Sequence, residues 1–191
     1  MGDNGHLMPD HTDALRQTLD AAERDRQTVR PDGGRVDGLL EGMRSHRSRV
    51  HTDERGSLTE LFDPRWDWHP DPIITAYYIT ERPGQAKGWA LHKEHEDRYA
   101  IISGELEVVL YDVRPDSATY RQVCRFAMTD RDPMVVSIPV LVWHATRTLG
   151  TRDAVLVNFP TRPYDYEAPD KYRLPLDTPL IPFDFGGTPG W

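Results

Sequence analysis

The 191 residues predict an all-β protein, a double-sheet barrel of the jelly-roll kind behind a polar, helix-forming N-terminal extension. Three observations carry this. Between residues 36 and 160, short runs rich in branched and aromatic residues recur with turn signals between them. No long apolar pattern of period 3.6 interrupts them. About eight such runs are the number that two sheets closing on one core require.

In chain order the extension comes first. Residues 1–34 are polar and poor in aromatics, and residues 12–30 read as a helix with Thr12 as N-cap and Leu15, Leu19 and Ala22 on one face. That stripe is too thin for a second domain. Pro31-Asp32-Gly33-Gly34 then breaks the helix and leads into residues 35–191, the barrel with its tail. Strands are expected at residues 58–62, 73–80, 99–102, 106–111, 121–128, 134–138 and 154–159. Ser103-Gly104 accepts the positive φ of a tight turn, so the runs on either side of it read as a hairpin. From Pro160 onward the chain is rich in proline, tyrosine and aspartate; proline cannot donate to a ladder, which predicts an extended segment wrapped around the barrel.

A hydrophobic fraction of 38% over this length supplies one substantial core and leaves little for another. With 23 basic against 31 acidic residues the net charge is −8, which argues against nucleic acid and anionic membranes as partners. Cys124 is the only cysteine, so no intrachain disulfide forms, and it reads as a packing residue. No apolar signal-peptide core and no apolar run of membrane-spanning length is present, which predicts a reducing, cytoplasmic setting.

Chemistry is concentrated in two segments. Gly88-Trp89-Ala90-Leu91-His92 and, after Ile138-Pro139, Trp143-His144 would aim two histidines into one barrel from strands distant in sequence. Imidazole is the side chain whose ordinary pKa suits a base near neutrality.

The ordered set of residues 53–60 (Asp-Glu-Arg-Gly-Ser-Leu-Thr-Glu), Leu91-His92, Gly104-Glu105, Tyr111-Asp112-Val113-Arg114, Ile138-Pro139 with Trp143-His144, and Leu176-Asp177-Thr178-Pro179 resembles the dTDP-4-dehydrorhamnose 3,5-epimerase family of cupin-fold nucleotide-sugar enzymes. The likeness spans residues 36–185. It implies a cupin jelly roll, a homodimer, a nucleotide-sugar substrate, and neither metal nor other cofactor. By position His92 is the base that takes a proton from the carbon beside a sugar ketone, and Asp177 its orienting carboxylate, by the logic that governs catalytic triads. His144 would donate to the developing enolate oxygen. Arg55 would hold a diphosphate oxygen, with Glu60 on the nucleotide base.

The departures from that pattern are specific. Where the family reads Arg-Gly-Leu-His, this chain reads Trp89-Ala90-Leu91-His92, so a phosphate-binding arginine is gone and Lys87 is its partial substitute. The family lysine before the Gly-Glu pair falls at Asp97 or Arg98, and only Arg98 keeps a cation there. Val157 stands nearest the place of the proton-returning tyrosine, and Tyr164 and Tyr166 follow shortly after. Epimerisation at one centre, keto-isomerisation or another proton transfer are all compatible with such a branch.

Two other classes fit parts of the pattern. In a metal-dependent cupin, strand alternation puts His92 and Glu94 on one face, with Asp97 and His144 as further ligands suited to Fe(II) or Mn(II). The usual His-x-His pair is absent, and a regular strand would send His95 to the opposite face. A binding module without turnover would instead use Trp89 and Trp143 as an apolar wall, which also suits a hydrophobic non-sugar ligand.

Overall fold

The structure, a computed structural model, describes residues 11–32 and 38–190, and it divides into two compact units, residues 1–37 and 38–191. The first unit contains α1 (His11–Ala21), 11 residues long and ending nine residues short of the expected helix's end, with Thr12 inside it rather than at its N-cap. Leu15 and Leu19 are exposed on it, so little but propensity sustains the helix, and the polar run after Ala22 gives it nothing to continue against. Gly33 and Gly34 of the expected breaker lie outside the described residues; Pro31 and Asp32 form a turn.

The second unit is the barrel. Its strands are β1 (Ser45–Arg47), β2 (Val50–Asp53), β3 (Gly56–Thr59), β4 (Tyr77–Glu81), β5 (Ala86–Leu91), β6 (Asp97–Ser103), β7 (Glu105–Asp112), β8 (Val123–Thr129), β9 (Met134–Ile138), β10 (Val142–Thr148), β11 (Ala154–Asn158) and β12 (Tyr172–Arg173). One sheet runs β1-β9-β6-β11-β4 and the other β12-β5-β10-β7-β8, while β2 and β3 form a separate hairpin. Every pairing within these sheets is antiparallel. The cupin jelly roll is therefore present.

Alternation explains how the sheets close. On β8, Cys124, Phe126 and Met128 point inward, between the more exposed Arg125 and Ala127. They pack with Leu106, Val108 and Leu110 of β7 and with Val136, Ile138 and Val142. A second apolar layer lies on the outer face of β5 and β10, where Trp89, Val109 and Ala145 meet Ile181 and Phe185 of the C-terminal segment. That segment is tied down by β12 on β5, by Leu174 N–H donating to the Trp89 carbonyl, and by a bridge between Ala86 and Gly190. No helix among the described residues is long and apolar enough to cross a membrane.

The expected hairpin at Ser103-Gly104 is not a hairpin. β6 pairs with β9 and β11, whereas β7 pairs with β8 and β10, so Gly104 is the corner at which the chain passes from one sheet to the other. Its φ of 84° is in the left-handed region, and a Cβ there would lie 2.8 Å from Ala154 Cα. The local signal for a turn was sound; what it joined depends on pairings distant in sequence. The strand expected over residues 73–80 begins only at Tyr77, and residues 58–62 contribute just the end of β3.

Candidate active site

A cavity of about 320 Å³ opens between the two sheets. Period-2 alternation supplies Tyr77, Ile79 and Glu81 from β4, Asp97 and Tyr99 from β6, and His144 and Thr146 from β10, while β5 brings both Lys87 and Ala90 to the cavity through an irregularity in its pairing with β10. His92 follows directly after β5, and Lys171 and Arg173 close the mouth from the C-terminal segment. A register shift in the β10–β5 pairing between His144 and Thr146 falls at the site, a common place for a strand to re-aim its side chains.

At the floor, one carboxylate gathers several groups. Asp97 Oδ2 lies 3.3 Å from His92 Nε2, 3.3 Å from His144 Nε2, and accepts from the Tyr99 hydroxyl at 3.1 Å. Its other oxygen accepts from Asn158 Nδ2 at 2.7 Å. Asp97 is 2% exposed. Burial alone would raise its pKa, but the hydrogen bonds and charge of His144 and His92 outweigh burial and hold it well below the usual carboxylate range. For His92, burial opposes the charged form, while the Asp97 carboxylate and then the Asp170 carbonyl favour it, and the net shift is upward.

Each imidazole is fixed from behind. His92 Nδ1 donates to the Asp170 carbonyl, and His144 Nδ1 to the Val142 carbonyl at 3.2 Å, so in both rings Nε2 is the atom turned to the cavity. The backbone carbonyl of His92 accepts from Leu141 N–H at 2.8 Å, in a turn where Leu141 has φ 60°. The Asp170 carboxylate accepts from the N–H groups of Lys93 and Glu94 at 2.8 Å and bonds His95 Nδ1 at 2.9 Å, locking the loop that follows His92. His95 lies against His92, with ring centroids 4.0 Å apart and the planes tilted by 34°. Burial, and then the charge of His92, lower the His95 pKa.

Tyr77 lines the cavity from β4, in the other sheet from His144. Its hydroxyl oxygen accepts from Asn158 Nδ2 at 2.8 Å, which leaves its own proton available to donate. Desolvation, assisted by the nearby Asp97 charge, pushes its pKa up to about 12, so the phenol is protonated at neutral pH. Glu81 is buried, with Thr146 Oγ1 donating to it at 2.6 Å; burial raises its pKa against the pull of Thr146 and Lys87.

The structure corrects several expected roles. Asp177 is exposed in the C-terminal segment and lines a different hollow with Leu174 and Leu176; the carboxylates around His92 are those of Asp97 and Asp170. Arg98 points away from the cavity because Asp97, its neighbour on β6, points in; its guanidinium donates to the carbonyls of Phe159, Asp71 and Pro72 at 2.6–2.9 Å. Trp89 is fully buried under Phe183 and Phe185, and Trp143 packs on that same outer layer, so neither lines the cavity. Arg55 pairs with Asp53 on the exposed β2–β3 hairpin, and Glu60 is exposed just beyond it. Glu94 is turned outward to Arg162 at 2.7 Å and is no member of a ligand set with His92. His95 reaches the site because β5 ends at Leu91 and strand alternation no longer applies.

Other expected residues do fall at the site. His92, His144 and Lys87 line the cavity, and Tyr164 lines an adjoining hollow that shares Tyr77, His92 and Lys171 with it. Val157 faces the other way, toward Ala100, Val135 and Phe159. Tyr77, Tyr99, Glu81 and Asn158 were missed, although i, i+2 alternation along β4 and β6 would have put Tyr77 with Glu81 and Asp97 with Tyr99. Nothing local marks Asp170, which reaches His92 across 78 residues.

A buried carboxylate and two imidazoles at the floor of a cupin cavity, with a protonated phenol among its lining, are groups able to take a proton from carbon and return one, the chemistry of epimerases and isomerases. Comparison with known proteins gives the family. Residues 51–172, which contain every floor residue named above, match the family described as "Polysaccharide biosynthesis C-terminal domain", and the chain belongs to it. The chain is 35% identical over 138 residues to the "Probable low-salt glycan biosynthesis epimerase Agl13" of Haloferax volcanii, covering 72% of this chain and 88% of that protein. It is 30% identical over 149 residues to the spore coat polysaccharide biosynthesis protein SpsL of Bacillus subtilis, covering 77% and 97%. Among solved structures, a dTDP sugar isomerase from Desulfovibrio desulfuricans G20 superposes with a TM-score of 0.72 at 25% identity, covering 79% of this chain and 96% of that one.

Proposed function

We propose that this chain epimerises or isomerises a nucleotide-linked 4-keto-6-deoxy sugar by removing the proton from a carbon next to the ketone. His92 Nε2 is the base. The Asp170 carbonyl keeps Nδ1 protonated and the ring oriented, and Asp97 stabilises the imidazolium that forms when the proton arrives. With both ring nitrogens protonated, His144 keeps Nδ1–H on the Val142 carbonyl and donates Nε2–H to the enolate oxygen. Tyr77 returns a proton to the opposite face. Lys87, Lys171 and Arg173 at the mouth supply the positive charge that a diphosphate needs, in place of the missing family arginine.

The observation that carries this reading is the pairing of His92 and Asp97 at the cavity floor with a protonated Tyr77 bonded to Asn158 beside them. The glycan epimerase and dTDP-sugar isomerase named among the relatives supply its substrate class. A homodimer working in a reducing cytoplasm belongs to the same reading and rests on the family resemblance; sedimentation velocity giving a single-chain mass would refute the dimer.

The test is His92→Ala. It is expected to fold, by circular dichroism, and to lose about 10²–10⁴-fold of the solvent-deuterium uptake at the carbon beside the ketone. Uptake at the wild-type rate in the folded variant would refute His92 as the base.

A further inference from the structure

Three cavity-facing donor atoms, His92 Nε2, His144 Nε2 and an Asp97 carboxylate oxygen, lie within 4.8 Å of one another. Both imidazole nitrogens are 3.3 Å from the same Asp97 oxygen. Ligands on neighbouring corners of a tetrahedron, each about 2.0–2.1 Å from its centre, stand about 3.3 Å apart. The spacing therefore already matches that of two edges of a four-coordinate site, with the cavity open on the remaining side.

The surroundings fit a metal as closely as the donors do. A metal-bound histidine nearly always donates its other ring N–H to a carbonyl or carboxylate, which fixes the tautomer that leaves the ligating nitrogen bare. His92 and His144 each do so, to the Asp170 and Val142 carbonyls. The carboxylate is oriented by Tyr99 on one oxygen and Asn158 on the other. Two imidazoles and one carboxylate are a donor set for divalent first-row ions rather than for Mg²⁺ or Ca²⁺. In the second histidine group near the cavity, His92, His95 and Asp170, both Nδ1 atoms are already bonded to Asp170, that of His92 at its carbonyl and that of His95 at its carboxylate.

The geometry points to a divalent transition-metal site at His92 Nε2, His144 Nε2 and Asp97, holding one ion per chain, with Zn²⁺ the ion of best fit. The ion takes the nitrogen to which the reading above assigns the substrate proton. Zinc is thus a reversible inhibitor, a consequence that rests on His92 being the base, whereas the binding itself does not.

Binding is tested without substrate. Isothermal titration of chelator-treated full-length protein with Zn²⁺ is expected to give one site per chain. ¹⁵N spectra of the histidine rings of the wild-type protein are expected to move at two Nε2 atoms, those of His92 and His144. Asp97→Asn and His144→Gln should each weaken the site by no less than the roughly 10–100-fold that loss of an outer-shell partner costs, while His95→Gln retains it. No heat and no shifted resonance in the wild-type protein would overturn the proposal. So would binding that moves other histidines, or that survives in folded His144→Gln and is lost in His95→Gln. In the deuterium-uptake assay, Zn²⁺ is expected to stop exchange and a chelator to restore it; exchange indifferent to zinc in protein that binds it would overturn the inhibitory role and leave the site standing.

Discussion

Tyr77 and Asn158 sit directly opposite each other on β4 and β11, and the amide of Asn158 spans from the phenolic oxygen to Asp97. One amide therefore ties the phenol proposed as proton donor to the carboxylate beside His92 Nε2. Tyr77→Phe removes the proton that would enter from the far face while leaving His92 and Asp97 in place. The account predicts that this variant still exchanges the substrate's α-proton with deuterium but forms at least about 10²-fold less epimer; epimer formed at the wild-type rate would show that Tyr77 is not the acid. The two histidines were legible in the sequence because each ends or sits in a short apolar run with an aromatic neighbour. Tyr77 was not, because the function expected on β11 is the one proposed here for the strand hydrogen-bonded to it, and cross-strand pairing leaves no mark in either strand alone. At Asp97-Arg98 the ambiguity was one of parity: one residue of shift exchanges a buried carboxylate for an arginine bonded to carbonyls on the other face.

Among elements, the corner at Gly104 carries the chain from one sheet to the other, and the C-terminal segment brings Lys171 and Arg173 to the cavity. Gly104→Ala puts a methyl against Ala154 in backbone that L-residues rarely adopt, at a cost of about 1–3 kcal/mol. The expected result is a thermal midpoint lower by roughly 3–10 °C, measured by scanning calorimetry; an unchanged midpoint would contradict the close approach. The strands β7, β8 and β9 were legible, β9 at both its bounds, β7 within one residue and β8 within two, because their alternation is regular and their cores are dense. The C-terminal segment was legible only as an extended tail. Its apolar anchors, Ile181 and Phe185, meet Trp89 about ninety residues away in the chain, so Trp89 looked like a pocket wall when it is the floor on which the tail lies.

At the scale of the whole barrel, Asp112 closes one end. Its carboxylate accepts from Arg114 Nε and Nη2, Ser117 Oγ and Thr119 Oγ1 at 2.6–2.9 Å, and Arg114 also donates to the Glu41 carbonyl. Burial opposes ionisation, but Arg114 and then the two hydroxyls outweigh it and hold the carboxyl below its ordinary range. Because the folded value is the lower one, this contribution is complete above the unfolded carboxyl's pKa of about 4 and is lost as pH falls through the folded value. Asp112→Asn is expected to cost about 1–3 kcal/mol at pH 7, by urea denaturation, with the gap from wild type narrowing below about pH 4; a gap that widens on acidification would contradict the network. The cavity at the barrel's centre carries the central claim, that this chain moves a proton beside a sugar ketone. Proton NMR of the wild-type protein with dTDP-4-keto-6-deoxyglucose in deuterated water tests that most directly. The account predicts loss of the signal at C3, C5 or both, abolished by His92→Ala; signals that persist at both carbons in folded, chelator-treated protein would contradict it.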